Sequence, residues 1–424
     1  MNGRAYPYRG FMLDVARHYM PVADILRFID VAAACGMNRF HWHLTDDQGW
    51  RVEIKRYPKL TEIGSRRGES HFGRVSKTEN NDGFYTQEEV RQVVAHCAGR
   101  GIQVVPELEV PGHASAMLAA YPEYGCGVGA GEKPHEYRVI TAPGVYPNLI
   151  CAGKDAAIRF LEDILDELLA LFPGPEVHIG GDEALKLHWR RCPDCQARIR
   201  AEGLKDEEEL QRWLVLKIGD YLARRGRQAI VWNESLAGGM LPGHFIVQHW
   251  RGNDAETAAF MAAGGRVIRS DVEHYYLDYA YAATDPHGIW AAELPDYAKG
   301  HEEGLIGAEC PLWTERVTNT PRAAELLLPR MPAVALTLNG KDYPDWEAFR
   351  DALRRIREQT APLGLDWADE ALWRLEGDAR EADRAADEDL KRSPECDAAL
   401  EEVRRMMEQD EREARGEFGM RNEE

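Results

Sequence analysis

The chain has 424 residues, of which 44% are hydrophobic and 29% charged, a composition typical of globular proteins. Its formal net charge of −20 argues against a nucleic-acid or anionic-membrane partner, because both are bound by clustered Lys and Arg. No stretch approaches about 18 uninterrupted apolar residues, so no helix is expected to span a membrane.

The first residues, MNGRAYPYRGFMLD, contain no basic segment followed by an apolar run, so they predict no signal peptide. Eight cysteines are spread over the chain, which favours free thiols in a reducing compartment over a disulfide framework. Both features predict a cytoplasmic protein. A secreted protein trimmed of its signal peptide would give the same sequence and stays the alternative.

Short apolar runs rich in Val, Ile or aromatic residues predict eight strands, at 10–15, 38–44, 102–108, 176–181, 228–233, 244–250, 266–271 and 305–310. Amphipathic helical patterns lie between them: one starts near Pro21 and ends before Gly36, and another opens with the capping-box pair Thr86 and Glu89. Alternating strands and helices indicate parallel strands with right-handed crossovers. Eight such units predict an α/β fold, a closed (β/α)8 TIM barrel over residues 1–345, with an open doubly wound sheet as the alternative.

Residues 346–424 are predicted to form a C-terminal helical extension that packs on the barrel or projects from it. From about residue 366 this segment is charged and helical in pattern, with a few Leu, Trp and Met residues. A solvated appendage is the simpler interpretation. A role in self-association, with a homodimer as its simplest form, is the alternative.

Polar and aromatic residues follow strand after strand at its carboxyl end. They include Asp14, Arg17, His41, His43, Asp46, Asp47, Glu107, Glu109, His113, Asp182, Glu183, Trp232, Asn233, Glu234, His249, Trp250, Asp271, Glu309, Trp313 and Glu315. A TIM barrel builds its active site at that face. We therefore expect one pocket to collect all of these side chains.

Two patterns raise the question of a metal. His41 and His43 lie two apart on a predicted strand and so face the same way, and with His113, His178 and Asp182 they could be metal ligands. Nearby carboxylates are equally available to orient these histidines, so we expect neither a metal nor another cofactor.

The second pattern is CPDC at 192–195. A lone C-x2-C lacks the second cysteine pair that makes a zinc site convincing. Two free thiols, or a small structural turn, are therefore the favoured interpretation.

An aromatic and acidic set points to a carbohydrate. Trp232, Trp250, Trp313 and Tyr276 lie at or just after strand ends, accompanied by Asp278, Glu315 and Arg9. Tryptophan rings stack on the apolar faces of sugars, and carboxylates and arginine bind hydroxyl groups through charge-assisted hydrogen bonds. Core packing explains a single Trp, but three with acids at one rim favour sugar binding.

Several segments together resemble one known family. They are YRGFMLDVARHYMP (8–21), FHWHLTDDQGWRVEIKRYPKLTEIGS (40–65), VVPELEVPGHASAML (104–118), VHIGGDEA (177–184), VWNES (231–235), VQHW (247–250), YYLDYAY (275–281) and CPLWTE (310–315). From about residue 8 to about residue 340 the chain resembles the catalytic domain of family 20 glycoside hydrolases, the β-N-acetylhexosaminidases. Many members carry a smaller α/β domain before the barrel, so we expect either a compact form or a truncated chain.

The resemblance implies exo-acting, retaining hydrolysis of terminal β-linked N-acetylglucosamine or N-acetylgalactosamine, with N-acetylhexosamine-terminated glycans as substrates. This family is an exception to the two-carboxylate scheme, because the substrate's own 2-acetamido oxygen attacks the anomeric carbon. By resemblance, Glu183 is the general acid and base, and Asp182 orients the acetamido group. Repulsion between adjacent carboxylates should also keep one of them protonated near neutral pH.

The resemblance assigns the other site residues as well. It implies that Trp232, Trp250 and Trp313 surround the sugar and that Tyr276 donates a hydrogen bond to the acetamido oxygen. Arg9 and Glu315 are expected to bind the outer hydroxyls of the sugar. Asp46 and His113 are expected to support Glu183, and Asp278 to lie beside Tyr276. A disaccharide-releasing enzyme like lacto-N-biosidase is the alternative within the family, because loops such as the Gly-rich 124–138 set the pocket depth. From other classes, a metal-dependent barrel hydrolase and a non-catalytic glycan-binding protein also stay open.

Overall fold

A closed barrel of eight parallel strands forms the centre of the computed structural model, which describes residues 3–126 and 136–414. In chain order the strands are β1 (Tyr8–Asp14), β2 (Arg39–His43), β3 (Thr45–Asp46), β4 (Gly49–Trp50), β5 (Gln103–Glu107), β6 (Glu176–His178), β7 (Gln228–Trp232), β8 (Ile246–His249), β9 (Arg266–Arg269) and β10 (Leu305–Leu312). β3 and β4 form a small antiparallel hairpin, and the others close the barrel because β1 pairs with both β2 and β10. The predicted TIM barrel is confirmed, and each predicted strand overlaps one barrel strand.

Helices occupy the connections between the barrel strands and the segment that follows β10. They are α1 (Val22–Cys35), α2 (Lys59–Glu62), α3 (Gln87–Ala98), α4 (Ser115–Ala120), α5 (Asp155–Leu171), α6 (Leu187–Arg191), α7 (Pro193–Glu202), α8 (Glu207–Ala223), α9 (Asp254–Ala262), α10 (Val272–Tyr275), α11 (Pro286–Ala291), α12 (Thr320–Leu327), α13 (Arg330–Leu338), α14 (Trp346–Thr360), α15 (Gly377–Lys391) and α16 (Pro394–Ala414). The predicted capping box of Thr86 and Glu89 starts α3, and Gly36 ends α1 in the left-handed conformation at φ 90°. The local signals for these helix ends are therefore confirmed.

Strand alternation separates two kinds of environment, as β2 illustrates. Phe40 and Trp42 point outward into the apolar core between the barrel and its helices, where Phe28 of α1 also lies. His41 and His43, at the alternate positions, point into the barrel. The inward side chains are apolar in one cluster, formed by Tyr8, Val105, Ile230, Ile246 and Ile268, and polar near the carboxyl ends of the strands.

The C-terminal extension has two parts with different packing. Helix α14 packs on α1, α11 and α13, and its Phe349 and Leu353 are buried in the main core. Helices α15 and α16 instead run back over the carboxyl face of the barrel. Two ion pairs join these helices to the loop between α2 and α3. Arg74 of the loop lies 2.6 Å from Asp389 of α15, and Lys77 of the loop lies 3.2 Å from Glu395 of α16.

This rim position places α16 next to the candidate site. Val403 of α16 packs on Val145 and Leu185, and it lies so close to Gly144 that an added Cβ would be 2.4 Å from its Cγ2. Up to Val403 the extension therefore packs on the barrel, while the proposed division at residue 345 stays a prediction. Within residues 3–126 and 136–414, no helix combines the length and apolarity that a membrane crossing requires.

Candidate active site

A cavity of about 270 Å³ opens at the carboxyl ends of the barrel strands. All but two of the predicted site residues line it, namely Asp46, His113, Asp182, Glu183, Trp250, Tyr276, Asp278, Trp313 and Glu315. Arg9 and Trp232 are the two that do not. The barrel therefore gathers these side chains from six strand ends into one pocket, as the carboxyl face of a TIM barrel does.

The turn after β6 explains why a Gly-Gly pair precedes the two acids. Gly180 and Gly181 have φ of 66° and 101°, in the left-handed region that favours glycine. A Cβ on Gly180 would lie 1.8 Å from Glu109 Oε2, and one on Gly181 would lie 2.1 Å from Ser235 Oγ. Glu183 also has a positive φ, 47°. The sharp turn presents both Asp182 and Glu183 to the cavity.

One imidazole faces both acids. His113 Nε2 lies 3.6 Å from Asp182 Oδ2 and 3.7 Å from Glu183 Oε2, while its Nδ1 lies 3.2 Å from Asp46 Oδ1 and 3.3 Å from Asp47 Oδ2. Burial disfavours charge on His113, but Asp46 and the other acids outweigh it and raise the pKa of His113 well above its usual value. A protonated His113 therefore links the paired acids to the carboxylates behind them.

Glu183 is held so that it can keep a proton. Burial raises the pKa of Glu183, and the charge of Asp182 adds to this, whereas His113 and Arg251 act in the opposite direction. Arg251 Nη2 donates to Glu183 Oε1 at 2.8 Å, and the backbone N–H of Glu183 donates to Glu234 Oε2 at 2.6 Å. Burial and the charge of Asp182 also raise the pKa of Glu234 to about 7. Both shifts favour the protonated forms of Glu183 and Glu234.

The HWH histidines are engaged by carboxylates below the cavity. His41 Nδ1 lies 2.7 Å from Glu309 Oε1 and its Nε2 lies 3.0 Å from Glu107 Oε2. Burial opposes protonation, but these two acids outweigh it and raise the pKa of His41 to about 10, and the same balance with Glu107 raises the pKa of His43 to about 9. Each histidine is thus held between two carboxylates, which it can orient.

Aromatic rings form one wall of the cavity. Trp250 and Tyr276 stack with centroids 5.9 Å apart and an interplanar angle of 14°, and Trp313 lies 6.2 Å from Tyr276. Burial, and then the charge of Asp182, raises the pKa of Tyr276 well above its usual value, so its hydroxyl stays a hydrogen-bond donor. Trp232 lies behind this wall, 6.4 Å from Trp250 and 6.1 Å from Trp313. Its Nε1 donates to Glu107 Oε1 at 3.1 Å, so it supports the wall from the interior.

The placement of Arg9 is a correction to the sequence-based prediction. Arg9 is the second residue of β1 and therefore lies at its amino end, where it donates to the carbonyls of Gly36 at 2.7 Å and Tyr6 at 2.6 Å. Arg17, three residues past the carboxyl end of β1, lines the cavity instead. Its guanidinium lies 2.9 Å from Asp46 Oδ2 and 5.2 Å from the centre of the Trp313 ring. Arg17 follows the carboxyl end of a predicted strand, and this position was the sequence signal that could have assigned it to the cavity.

Further lining residues were not assigned to the site from the sequence. They are Pro143, Gly144, Val145, Arg251, Tyr279, Arg316 and Leu400. Arg251 follows a strand end, but Leu400 comes from α16 and carries no such signal. Part of the Gly-rich loop expected to set pocket depth, residues 127–135, lies outside the described residues. Asp278 and Glu315 complete the polar side, where burial and then Glu315 raise the pKa of Asp278 to about 7.

Comparison with known proteins decides the family. The model of the glycosyl hydrolase family 20 catalytic domain matches residues 6–338. The chain belongs to glycosyl hydrolase family 20. It is similar to the β-hexosaminidase of Porphyromonas gingivalis, with 41% identity over 362 residues that cover 81% of this chain and 44% of that protein. It is also similar to the β-hexosaminidase of Akkermansia muciniphila, with 36% identity covering 83% of this chain and 72% of that protein.

Solved structures of family 20 members match the barrel. The β-N-acetylhexosaminidase of Bacteroides fragilis has a TM-score of 0.75 and 33% identity, covering 86% of this chain and 72% of that one. The exo-β-N-acetylglucosaminidase of Vibrio harveyi, solved in complex with N-acetylglucosamine, has a TM-score of 0.74 and 29% identity, covering 87% and 60% of the two chains. This family 20 chain thus spans less than half the length of its Porphyromonas relative.

The steric argument for Gly180 can be tested by substitution. In Gly180→Ala the new methyl must displace the buried Glu109 carboxyl, so we expect the free energy of unfolding to fall by about 3 kcal/mol or more. Gly226→Ala is the matched control, because Gly226 has a similar φ of 72° but nothing within 4 Å of an added Cβ. The free energy of unfolding of Gly226→Ala should fall by only about 1 kcal/mol, which is the cost of a left-handed backbone for a residue with a Cβ. Equal losses in urea denaturation would contradict the argument.

Proposed function

We propose that this chain is an exo-acting, retaining β-N-acetylhexosaminidase that releases terminal β-linked N-acetylglucosamine or N-acetylgalactosamine from oligosaccharides or glycoconjugates. The observation that carries the proposal is the pair Asp182 and Glu183, which leave one turn and face one imidazole in an aromatic cavity. Family membership and the names of the relatives support it.

The geometry of the pair suits a substrate-assisted reaction. A retaining enzyme with a protein nucleophile needs two carboxyl groups about 5 Å apart on opposite faces of the sugar. Asp182 and Glu183 are adjacent and contact the same nitrogen of His113, so they approach from one side. If the substrate's acetamido oxygen supplies the nucleophile, no acid on the other face is needed.

In the first step, the acetamido oxygen forms a bond to the anomeric carbon while the glycosidic C–O bond breaks. Glu183 gives its proton to the leaving oxygen, and an oxazolinium-type intermediate results. In the second step, the Glu183 carboxylate takes a proton from water as the water oxygen attacks the anomeric carbon and reopens the ring. Two displacements at one carbon retain its configuration, and the proton on Glu183 is restored.

Asp182 and Tyr276 would orient the acetamido group. The Asp182 carboxylate accepts the acetamido N–H and stabilises the positive charge that develops there, and the Tyr276 hydroxyl donates to the acetamido oxygen. The rings of Trp250, Trp313 and Tyr276 enclose the methyl group and the apolar sugar face. These contacts hold the oxygen near the anomeric carbon.

The size and lining of the cavity favour release of a single sugar. At about 270 Å³ it lies at the small end of ligand pockets, which span about 300–1,000 Å³. Arg17, Asp278 and Glu315 supply charged partners for the outer hydroxyls of the terminal residue. Release of a disaccharide is therefore the less favoured alternative. The cytoplasmic location and a homodimer stay predictions from the sequence.

Substitution of the two acids tests the chemistry. Asp182→Asn should lower kcat by about 100-fold or more on both aryl N-acetyl-β-glucosaminide and N-acetyl-β-galactosaminide, because orientation of the nucleophile is lost. Glu183→Gln should lower kcat as strongly on an unactivated disaccharide but less on an aryl glycoside, whose leaving group needs less protonation. Wild-type activity should be blocked by N-acetylglucosamine-thiazoline. Immediate loss of activity with a chelator would favour the metal-dependent alternative, and binding without turnover would favour a glycan-binding protein.

The two arginines distinguish the corrected site from the original prediction. Arg17→Met should lower kcat/KM by about 100-fold, since a charge-assisted contact to the sugar contributes about 1.5–3 kcal/mol. Arg9→Met removes the same charge at the other end of the barrel and should stay within about two-fold of wild type. Inhibition by free N-acetylglucosamine should weaken in the first variant alone. The reverse ranking would restore Arg9 to the site.

The alkaline limb of the pH profile should report Glu183, which must be protonated to act as an acid. As pH rises through its raised pKa, kcat/KM should fall. Arg251 stabilises the carboxylate, so Arg251→Met should raise this pKa further and move the limb to higher pH. Arg200→Met, on the exposed last turn of α7, is the control for loss of one charge. A limb that stays in place or moves to lower pH in Arg251→Met would assign it to another group.

A further inference from the structure

Four buried cysteines from three segments of the chain meet in one cluster. Cys151 Sγ lies 3.6 Å from Cys195 Sγ and 3.7 Å from Cys192 Sγ, and Cys126 Sγ lies 3.8 Å from Cys195 Sγ. All four sulfurs are within 4.8 Å of one another. Cys192 and Cys195 are the C-x2-C pair, so the structure supplies the second pair whose absence from the local sequence favoured two free thiols.

These separations match a single tetrahedral ion. Zinc bound by four thiolates has Zn–S bonds of about 2.3 Å, which places the sulfurs about 3.8 Å apart. A disulfide requires sulfurs about 2.05 Å apart, much closer than any pair whose separation is given above. An iron–sulfur cluster lies between its cysteine sulfurs and needs them farther apart than one ion does.

The surrounding backbone is arranged around the cluster. Gly125 and Ile150 form an antiparallel bridge that holds together the two segments carrying Cys126 and Cys151. A Cβ on Gly153 would lie 2.1 Å from the carbonyl carbon of Asp194, so the Cys151 segment and the C-x2-C turn are in close contact. Trp189 Nε1 donates to the Ile150 carbonyl at 3.0 Å and joins α6 to the same segment.

Positive charge lies beside the cluster. Two cations contact the adjacent backbone: Lys154 Nζ donates to the Gly125 carbonyl at 2.7 Å, and Arg198 Nη2 donates to the Gly153 carbonyl at 3.3 Å. They would offset the negative charge of a tetrathiolate complex.

We propose that Cys126, Cys151, Cys192 and Cys195 bind one zinc ion with a structural role. Each thiol releases its proton as it becomes a ligand, and four sulfurs leave no open position for substrate or water. The ion would fasten the loop between β5 and α5 to the α6–α7 turn. That loop carries Pro143, Gly144 and Val145 of the cavity wall, so the zinc would stabilise the site without entering its chemistry.

The metal content of the wild-type chain is the first test. Protein expressed in zinc-supplemented medium and purified with a thiol reductant but no chelator should contain one zinc per chain by mass spectrometry of the metals. After denaturation with a chelator, all eight cysteines should titrate as free thiols. The double variant Cys192→Ser, Cys195→Ser should lose at least about nine-tenths of the zinc and unfold at a lower temperature.

Two controls keep the test decisive. Cys97→Ser alters a buried thiol on α3 outside the cluster and should retain the zinc. Cobalt added to the zinc-free wild-type chain should give the intense visible bands and thiolate charge-transfer absorption of a tetrahedral tetrathiolate site, whether or not the cysteine variants fold. Wild-type protein with little zinc and no such cobalt spectrum, or with disulfides among the four cysteines in peptide maps, would overturn the proposal. The result does not depend on whether the chain hydrolyses a glycoside.

Discussion

The sharp turn after β6 is the constraint on which the candidate site depends. Gly180 and Gly181 adopt positive φ, and Glu109 and Ser235 occupy the space that a Cβ would need, so both positions require glycine. This segment presents Asp182 and Glu183 to the same cavity. Under the proposed function these two acids cannot flank a sugar from opposite faces, and a nucleophile from the substrate suits that geometry.

Keeping several acids in one buried place requires compensation. Asp46 lies between Arg17, His43 and His113, and these contacts lower its pKa despite burial. Glu109 contrasts with it, because burial and the charge of Asp182 raise its pKa well above the usual value, so a neutral carboxyl lies against the Gly180 turn. Paired ions and a protonated acid thus form a fixed support, and a site held by such neighbours keeps its geometry during a reaction.

The rim of the barrel is completed by elements far from the catalytic turn in sequence. Helix α16 brings Leu400 to the cavity, and the loop that carries Val145 packs against Val403 of the same helix. The proposed zinc site would hold the other end of that loop. TIM barrels vary their specificity through such connections while the strands stay constant. Under the proposed function, substrate length and aglycone preference would depend on this rim.

Local signals in the sequence were enough to predict the eight-unit barrel, the ends of helices such as α1 and α3, and the place of Asp182 and Glu183 after a strand, because periodicity, capping residues and strand-end chemistry are local. These signals assigned Arg9 to the site, whereas Arg17 faces the cavity. They also left the C-x2-C pair of Cys192 and Cys195 without cysteine partners and gave no sign of Leu400. These points depend on contacts between segments that are distant along the chain and become adjacent only when the barrel closes.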